Sequence, residues 1–308
     1  MGIRAREVAI GALGCRAPVT ECAPRMMLSR NSAFLRRLAW LGASRAPFWV
    51  LRYSPPVVGW TAAALSRDAR DRVLENLRRI RGPASPWLDT IETMRTFASF
   101  AGALGESLAT GSKNERPLEP TIEGAESLRE VLGKPFIIGT IHSGGWDVLG
   151  SLLTGDLSLD MVIVMAHEAD AGAERLHDEV RGKARVRVVH VGSDALDALP
   201  LLGQLRRGGV VAMQLDRTPP GMRTVPVRLF DADGALPEGP FLLARLARVP
   251  LLPIFCARTG FRRYRIVIHP PIRLGRDDPP EATHGAAQSI ADRITDFLRA
   301  HPTQWFNF

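Results

Sequence analysis

The chain has 308 residues, 45% of them hydrophobic, so it can bury a large core and is not a disordered protein. Its 40 Lys and Arg residues outnumber its 32 Asp and Glu residues, which gives a formal net charge of +8. This excess favours an anionic partner such as nucleic acid, a membrane surface or a phosphorylated substrate. Cys15, Cys22 and Cys256 match neither a metal-ligand spacing nor an even disulfide framework, so we expect a reducing compartment and no disulfide.

The first residues do not fit a secretion signal. Two arginines precede the apolar run "VAIGALGC", but that run is short and carries Glu7 at its edge. Patterned sequence starts directly after Met26 and Met27. We therefore predict that residues 1–27 form a disordered leader that takes no part in the fold.

The next segment is basic and rich in aromatic residues, with no acidic residue between Glu21 and Asp68. Crossing a bilayer takes about 20 consecutive apolar residues, and Arg45, Arg52 and a Pro-Pro pair interrupt every candidate span. A basic, Trp-rich amphipathic stretch is typical of a segment that lies in the membrane interface. The alternative is a helical pair that packs on its own core with its arginines in water. Nucleic acid is disfavoured, because no helix-turn-helix, zinc or RNA-binding pattern accompanies the arginines.

Two further stretches of this first third show helical periodicity. Residues 67–81 place Val73, Leu77 and Ile80 on one face, and residues 87–109 repeat the pattern with larger apolar side chains. The polar connection "ATGSKNERPLEP" then ends the helical pattern. These features predict a basic, amphipathic, membrane-associated helical region over residues 28–110.

From residue 111 onward, strand patterns alternate with helical ones. Helices are predicted over 193–206, 238–248 and 285–299, and the strand-like runs are "PFIIGTIH", "LDMVIVMA", "RVRVVHVG", "GVVAMQLD", "TVPVRLF", "VPLLPIFCA" and "RYRIVIHPP". Residues 111–308 are therefore predicted to form an α/β domain with a mixed, mostly parallel sheet of about seven strands flanked by helices. Chemistry in such sheets is found where strands end, and His142 and Asp216 fall at predicted strand ends.

The stretch "GTIHSGGWDVLG", residues 139–150, joins a buried-strand pattern to a helical one. A histidine at such a crevice can act as a general base, and a nearby carboxylate can fix its tautomer. Ser143 is adjacent, but the chain has no G-x-S-x-G nucleophile motif. A His/carboxylate pair without a nucleophile favours direct attack by a bound acceptor on an activated acyl group. The plainer interpretation is a partly buried histidine followed by a carboxylate at a helix N-terminus.

The spacing of His142 and Asp147 resembles the H-x4-D/E signature of glycerolipid-type acyltransferases, and the wider chain resembles the bacterial lipid A biosynthesis (lauroyl/myristoyl) acyltransferase family. The resemblance runs from about residue 30 to the end of the chain. It also rests on "LLGQLRRGGVVAMQLDR", on "VPVRLFDADGALPEGPFLLARLARVPLLPIF" and on the closing "HPTQWFNF".

This resemblance implies that His142 takes the proton of an acceptor hydroxyl as it attacks the thioester of acyl-carrier protein or acyl-CoA. Asp147 would orient the imidazole, and no cofactor or metal is implied. The remaining site residues would bind substrate: the amides of Gly144 and Gly145 would face the oxyanion, Arg223 or Arg228 would hold a phosphate, and Ser143, Asp216 and Arg217 would complete the site.

The acceptor stays open at this point. Family members often carry an aromatic/Arg pair where this chain reads "MAHEAD", which weakens the expectation of lipid A itself. The alternatives are a phospholipid or other acceptor, a hydrolase, and a catalytically silent membrane-binding protein. His167, Glu168, Asp170 and His177 lack zinc-ligand spacing, so no metal site is predicted there. We expect a peripheral or monotopic protein on the cytoplasmic face of the inner membrane, in contact with anionic lipid.

Overall fold

A computed structural model describes residues 32–112, 116–145, 150, 152–154, 159–166, 187–191, 197–218 and 221–308. The predicted leader, residues 1–27, lies outside these ranges. The acid-free segment and its continuation form helices over almost their whole described length: α1 (Ser32–Arg45), α2 (Phe48–Tyr53), α3 (Pro55–Leu65), α4 (Arg67–Arg81) and α5 (Pro86–Leu108).

The helix predicted over residues 67–81 is confirmed as α4, and its three apolar residues Val73, Leu77 and Ile80 are buried as the periodicity requires. The helix predicted over residues 87–109 is confirmed as α5, which begins one residue earlier. Ser85 caps α5 by accepting a hydrogen bond from the Leu88 amide at 3.3 Å. None of the helices in the described ranges has both the length and the apolarity needed to cross a membrane.

The rest of the chain is built on a seven-stranded sheet. Its strands are β1 (Glu119–Glu123), β2 (Phe136–Thr140), β3 (Met161–Ala166), β4 (Arg187–Val191), β5 (Val210–Gln214), β8 (Leu251–Gly260) and β9 (Arg263–Ile268). The strand order is β1-β9-β8-β2-β5-β3-β4. All neighbours run parallel except β8 and β9, which form an antiparallel hairpin. The predicted mixed, mostly parallel sheet is confirmed.

Helices cover this sheet on both faces, so its central strands are apolar on both sides. In β2, Ile137 packs into one cluster of buried side chains, whereas Phe136 and Ile138 pack into another. The described helices of this half are α6 (Ala125–Val131), α7 (Ala198–Arg206), α8 (Gly239–Ala247) and α9 (Pro280–Ala300).

Strand membership differs from the sequence prediction at two places. The run "TVPVRLF" is a strand, but it forms a separate two-stranded hairpin of β6 (Thr224–Leu229) and β7 (Ala232–Pro237). Phe230 and Asp231 turn this hairpin with positive φ values of 55° and 61°, as a tight two-residue turn requires. The seventh strand of the sheet is instead β1, whose exposed side chains hid it from a search for apolar runs.

A buried carboxylate joins the helical region to the sheet. Glu106 of α5 is fully buried and accepts hydrogen bonds from the Arg258 guanidinium at 2.6 and 2.8 Å. Its other oxygen accepts from the Tyr264 hydroxyl at 2.6 Å and from the Arg262 amide at 3.1 Å. Because three residues of the β8–β9 hairpin donate four hydrogen bonds to one carboxylate, α5 is fixed against this hairpin of the sheet.

Candidate active site

The register of two adjacent strands brings His142 and Asp216 together. Strands β2 and β5 pair in parallel, with Thr140 opposite Gln214 at their carboxyl ends. The Leu215 amide donates to the Thr140 carbonyl at 2.8 Å, which extends the pairing by one step. His142 and Asp216 each lie two residues beyond their strand, so their side chains meet at the same edge of the sheet.

Asp216 binds His142 at both its side chain and its backbone. Oδ1 of Asp216 lies 2.8 Å from Nδ1 of the imidazole and accepts from the His142 amide at 3.0 Å. The imidazole is 17% exposed and the carboxylate 1% exposed. The histidine can therefore be reached from solvent, while the group that orients it cannot.

The second oxygen of Asp216 accepts a hydrogen bond from a residue near the end of the chain. The indole Nε1–H of Trp305, which is buried, donates to Oδ2 at 2.8 Å. Burial by itself raises the pKa of Asp216, but the charge and hydrogen bond of His142, the Trp305 indole and the nearby Arg217 outweigh it, and the net pKa is lowered. An ionised Asp216 only accepts hydrogen bonds, so Nδ1 of His142 is the donor and the basic lone pair lies on Nε2.

The last residues of the chain, Gln304–Phe308, hold the loop that carries His142, and we call them the C-terminal segment. The Phe306 amide donates to the His142 carbonyl at 2.7 Å, and Trp305 and Ser143 form an isolated antiparallel β-bridge. Arg217 donates to the Phe306 carbonyl at 2.8 Å and to Asn307 Oδ1 at 3.1 Å, and the substrate contact predicted for it stays a prediction. This segment belongs to the stretch "HPTQWFNF", which carries part of the family resemblance, but the sequence predicts no contact or function for Trp305.

Gly144 and Gly145 allow strands β8 and β9 to pack closely against the loop that carries His142. Gly144 has a φ of +56°, and a Cβ there would lie 2.1 Å from the Cys256 carbonyl oxygen; a Cβ on Gly145 would lie 2.4 Å from the Tyr264 ring. The Gly144 amide donates to the Gln304 carbonyl at 3.4 Å, and the Gly145 amide bonds to Cys256. The neighbours that require glycine are therefore strands β8 and β9. The oxyanion role predicted for these amides stays a prediction, and it requires them to exchange their present partners.

Ser143, which follows His142, and Cys256, to which Ser143 is bonded, are not activated as nucleophiles. The Ser143 hydroxyl is fully buried and donates to the Cys256 carbonyl at 2.8 Å, so it anchors the loop to β8, and the substrate contact predicted for Ser143 stays a prediction. Burial raises the pKa of the Cys256 thiol to about 12, which keeps it protonated, although a hydrogen bond from Gly145 opposes the shift. The geometry favours a direct transfer over a covalent intermediate on either residue.

The two arginines expected to hold a phosphate belong to the β6–β7 hairpin. Arg223 is 80% exposed at its side chain and pairs with Glu238 at 2.7 Å, where α8 begins. Arg228 pairs across the hairpin with Asp233 at 2.9 Å. Their present partners are carboxylates of the protein, and the structure does not bring either arginine into contact with His142 or Asp216.

Asp147, the other carboxylate of the predicted pair, lies outside the described residues, so its contact with His142 stays a prediction. The His167, Glu168, Asp170 and His177 group also lies outside them. The described carboxylate at Nδ1 of the imidazole is Asp216, for which the resemblance implies substrate binding. A crevice lined by Thr140 and Gln214, just before the two site residues, measures about 20 Å³, which is room for about one water molecule and not for an acyl chain.

Comparisons with known proteins place this chain in a family. The family model for bacterial lipid A biosynthesis acyltransferases matches residues 23–308. Five solved chains are similar in structure, including the crystal structure of the 1-acyl-sn-glycerophosphate (LPA) acyltransferase PlsC from Thermotoga maritima. That chain is 15% identical with a TM-score of 0.38, and the match covers 87% of this chain and 98% of that one. A search of curated proteins found no match. Because the family model spans nearly the whole chain, the protein belongs to the bacterial lipid A biosynthesis acyltransferase family and is an acyltransferase that acts on lipid.

Proposed function

We propose that the protein moves a fatty acyl chain from acyl-carrier protein or acyl-CoA to a hydroxyl group of a lipid or glycolipid acceptor, with His142 as the general base. The observation that carries this proposal is the 2.8 Å contact between the imidazole and the buried Asp216 carboxylate. It gives the chain a partly exposed base whose tautomer is fixed, at the carboxyl ends of β2 and β5.

In this mechanism Nε2 of His142 takes the proton of the acceptor hydroxyl while the hydroxyl oxygen bonds to the thioester carbonyl carbon. The tetrahedral intermediate then expels the thiolate of the donor. The imidazolium returns its proton to that sulfur, which leaves an ester, a free thiol and a neutral imidazole. Asp216 stabilises the imidazolium between the two steps, because the carboxylate stays ionised and bound at Nδ1.

The test is acyl transfer by wild type and by His142→Ala, with lauroyl-acyl-carrier protein and lauroyl-CoA as donors and a lipid A precursor or a lysophospholipid as acceptor. We expect His142→Ala to lose roughly 10²- to 10⁴-fold in turnover, since a general base contributes about that much. His284→Ala is the matched control, because His284 is exposed on α9, away from the carboxyl ends of β2 and β5.

Undiminished turnover in His142→Ala would remove the proposed base. Free fatty acid released without acceptor would identify a hydrolase, and no turnover of either donor by wild type would favour a catalytically silent protein. The ratio of turnover with the two donors identifies the donor.

We further propose that α2 and α3 hold the protein on an anionic membrane surface at the cytoplasmic face of the inner membrane. Their large apolar side chains point to solvent: Trp49 is 63% exposed, Tyr53 64%, Val57 62% and Trp60 48%. No acidic residue lies between Glu21 and Asp68 to repel anionic headgroups. Exposed aromatic and basic side chains on one helical surface are typical of interfacial binding.

Sedimentation with phosphatidylcholine vesicles, with and without about one third phosphatidylglycerol, tests this surface. We expect wild type to bind the anionic vesicles and Trp49→Ser/Trp60→Ser to lose most of that binding, because burying two indoles contributes on the order of several kcal/mol. Leu199→Ser on α7, where Leu199 is 59% exposed, is the control. Equal loss in the Leu199 variant would mean that α2 and α3 are not the membrane-binding surface.

A further inference from the structure

A second pocket, away from the Asp216 side of the site, lies between the helical region and the sheet. It measures about 430 Å³. Its walls come from five parts of the fold: α2, the start of α3, α5, the β8–β9 hairpin and the short 3-10 helix Pro302–Gln304. Its lining side chains include Arg52, Tyr53, Arg95, Arg258, Phe261 and Thr303.

Three guanidinium groups line this pocket, and they differ in their partners. Arg258 is bound by the buried Glu106. Within the described part of the chain, no carboxylate lies within ion-pair distance of Arg52 or Arg95. The pocket therefore carries a net positive charge that the described residues do not neutralise.

The guanidinium of Arg52 lies over two aromatic rings. Its guanidinium carbon lies 5.4 Å from the centroid of the Tyr53 ring and 6.0 Å from that of Phe261. Such cation–π contacts orient a guanidinium without removing its hydrogen-bond donors. A planar guanidinium oriented in this way binds a phosphate through two parallel hydrogen bonds.

The surroundings of the pocket indicate a lipid rather than a soluble phosphate. Pro56 at the rim belongs to α3, which continues into the exposed side chains of Val57 and Val58. A phosphate bound by Arg52 and Arg95 would have this apolar surface beside it for hydrocarbon. On the inner side, Thr303 directly precedes Gln304, whose carbonyl accepts the Gly144 amide, so the pocket adjoins the loop of His142.

We propose that this pocket binds the phosphate group of a lipid headgroup, with Arg52 and Arg95 as its principal ligands. The site differs from the phosphate contact predicted at Arg223 or Arg228, which lies on the β6–β7 hairpin. The proposal concerns binding alone, so its test does not depend on the transfer reaction.

Isothermal titration of the full chain with dihexanoyl phosphatidic acid, below its micelle concentration, tests the site. We expect Arg52→Gln and Arg95→Gln each to weaken binding about tenfold, and Arg95→Lys to weaken it less, since a lysine keeps the charge but loses the second hydrogen bond. The matched control is Arg72→Gln, an exposed arginine of α4 that does not line the pocket, which is expected to bind as wild type does.

Inorganic phosphate is the second titrant, because it has the same headgroup chemistry without hydrocarbon. Weaker binding of inorganic phosphate than of phosphatidic acid supports the lipid, whereas equal binding overturns it in favour of a free phosphate. Equal binding of phosphatidic acid to Arg52→Gln/Arg95→Gln and to wild type overturns the site itself. Thermal unfolding of each variant checks the fold, and if the double variant unfolds, the single variant Arg95→Gln decides.

Discussion

At the scale of single residues, the mechanism proposed for this protein depends on which carboxylate orients His142. Asp216 contacts the imidazole at 2.8 Å, is almost fully buried, and has its second oxygen bound by Trp305. Each of these contacts restrains the rotation of the carboxylate, so the imidazole it binds is restrained as well. Asp147 is the carboxylate that the H-x4-D/E spacing predicts for the same task.

Asp216→Asn and Asp147→Asn separate these two assignments. Asparagine keeps the shape of the side chain but can present its amide N–H to Nδ1, which favours the wrong tautomer of His142. We expect Asp216→Asn to lose roughly 10²- to 10⁴-fold in kcat with little change in KM, because a positioning residue acts on the transition state.

The measurement is steady-state acyl transfer at saturating donor, with unfolding midpoints as the check on folding. A wild-type kcat in Asp216→Asn, together with a large loss in Asp147→Asn, would assign the orienting role to Asp147 instead. Losses in both variants would mean that the two carboxylates share it.

At the scale of elements, the helical region depends on a close crossing of α3 and α5. Gly59 of α3 is buried, and a Cβ at this position would lie 2.6 Å from the backbone of Phe97 and Ala98 in α5. Backbone atoms cannot move aside as the end of a long side chain can. The small residue therefore sets how closely the two helices approach.

Gly59→Ala is expected to lower the free energy of unfolding by about 1–3 kcal/mol, the usual range for overpacking. Gly42→Ala in α1 is the matched control, because a Cβ at Gly42 would have no neighbouring atom within 4 Å and alanine is the better helix former. That control should gain about 0.5–1 kcal/mol. Urea unfolding measures both, and changes of the same sign would contradict the close crossing.

At the scale of the whole molecule, two partly buried histidines tie stability to pH. Burial, followed by the charge of Arg293, lowers the pKa of His269; burial, followed by the charge of Arg265, lowers the pKa of His301. The unfolded chain therefore takes up protons at a higher pH than the folded chain. The stability that these two groups contribute is fully present above their unfolded pKa, near about 6.5, and is lost as the pH falls through the folded values.

We expect the free energy of unfolding to decrease as the pH is lowered from about 7.5 to about 5.5, a window that starts above the ordinary histidine pKa. His269→Gln/His301→Gln should show a flatter pH dependence, since glutamine does not titrate. Urea unfolding at several pH values across this window measures the slopes. Parallel slopes for wild type and variant would assign the pH dependence to other groups.

Much of the architecture follows from local patterns. The 3.6-residue period predicts α4 to its first and last residue, and the apolar runs locate six strands of the main sheet, because its central strands are covered on both faces and β9 buries every second side chain. Strand β1 escapes the same reasoning, since it is an exposed edge held by ion pairs of Glu119 and Glu123 with arginines of β9. The pattern of β6 predicts a strand but not its partner, so it could not show that β6 pairs with β7 outside the main sheet.

The candidate site is likewise predictable from local sequence only in part. Local sequence is enough to predict that His142 follows a buried strand and acts beside a carboxylate, because a strand pattern, a histidine and a following helical pattern are all short-range features. The contact of Asp216 with the imidazole and the hydrogen bond from Trp305 to Asp216 arise only in the folded chain. Those contacts join residues 74 and 89 positions apart. They depend on the register of β2 against β5 and on the path of the C-terminal segment, which no local pattern encodes.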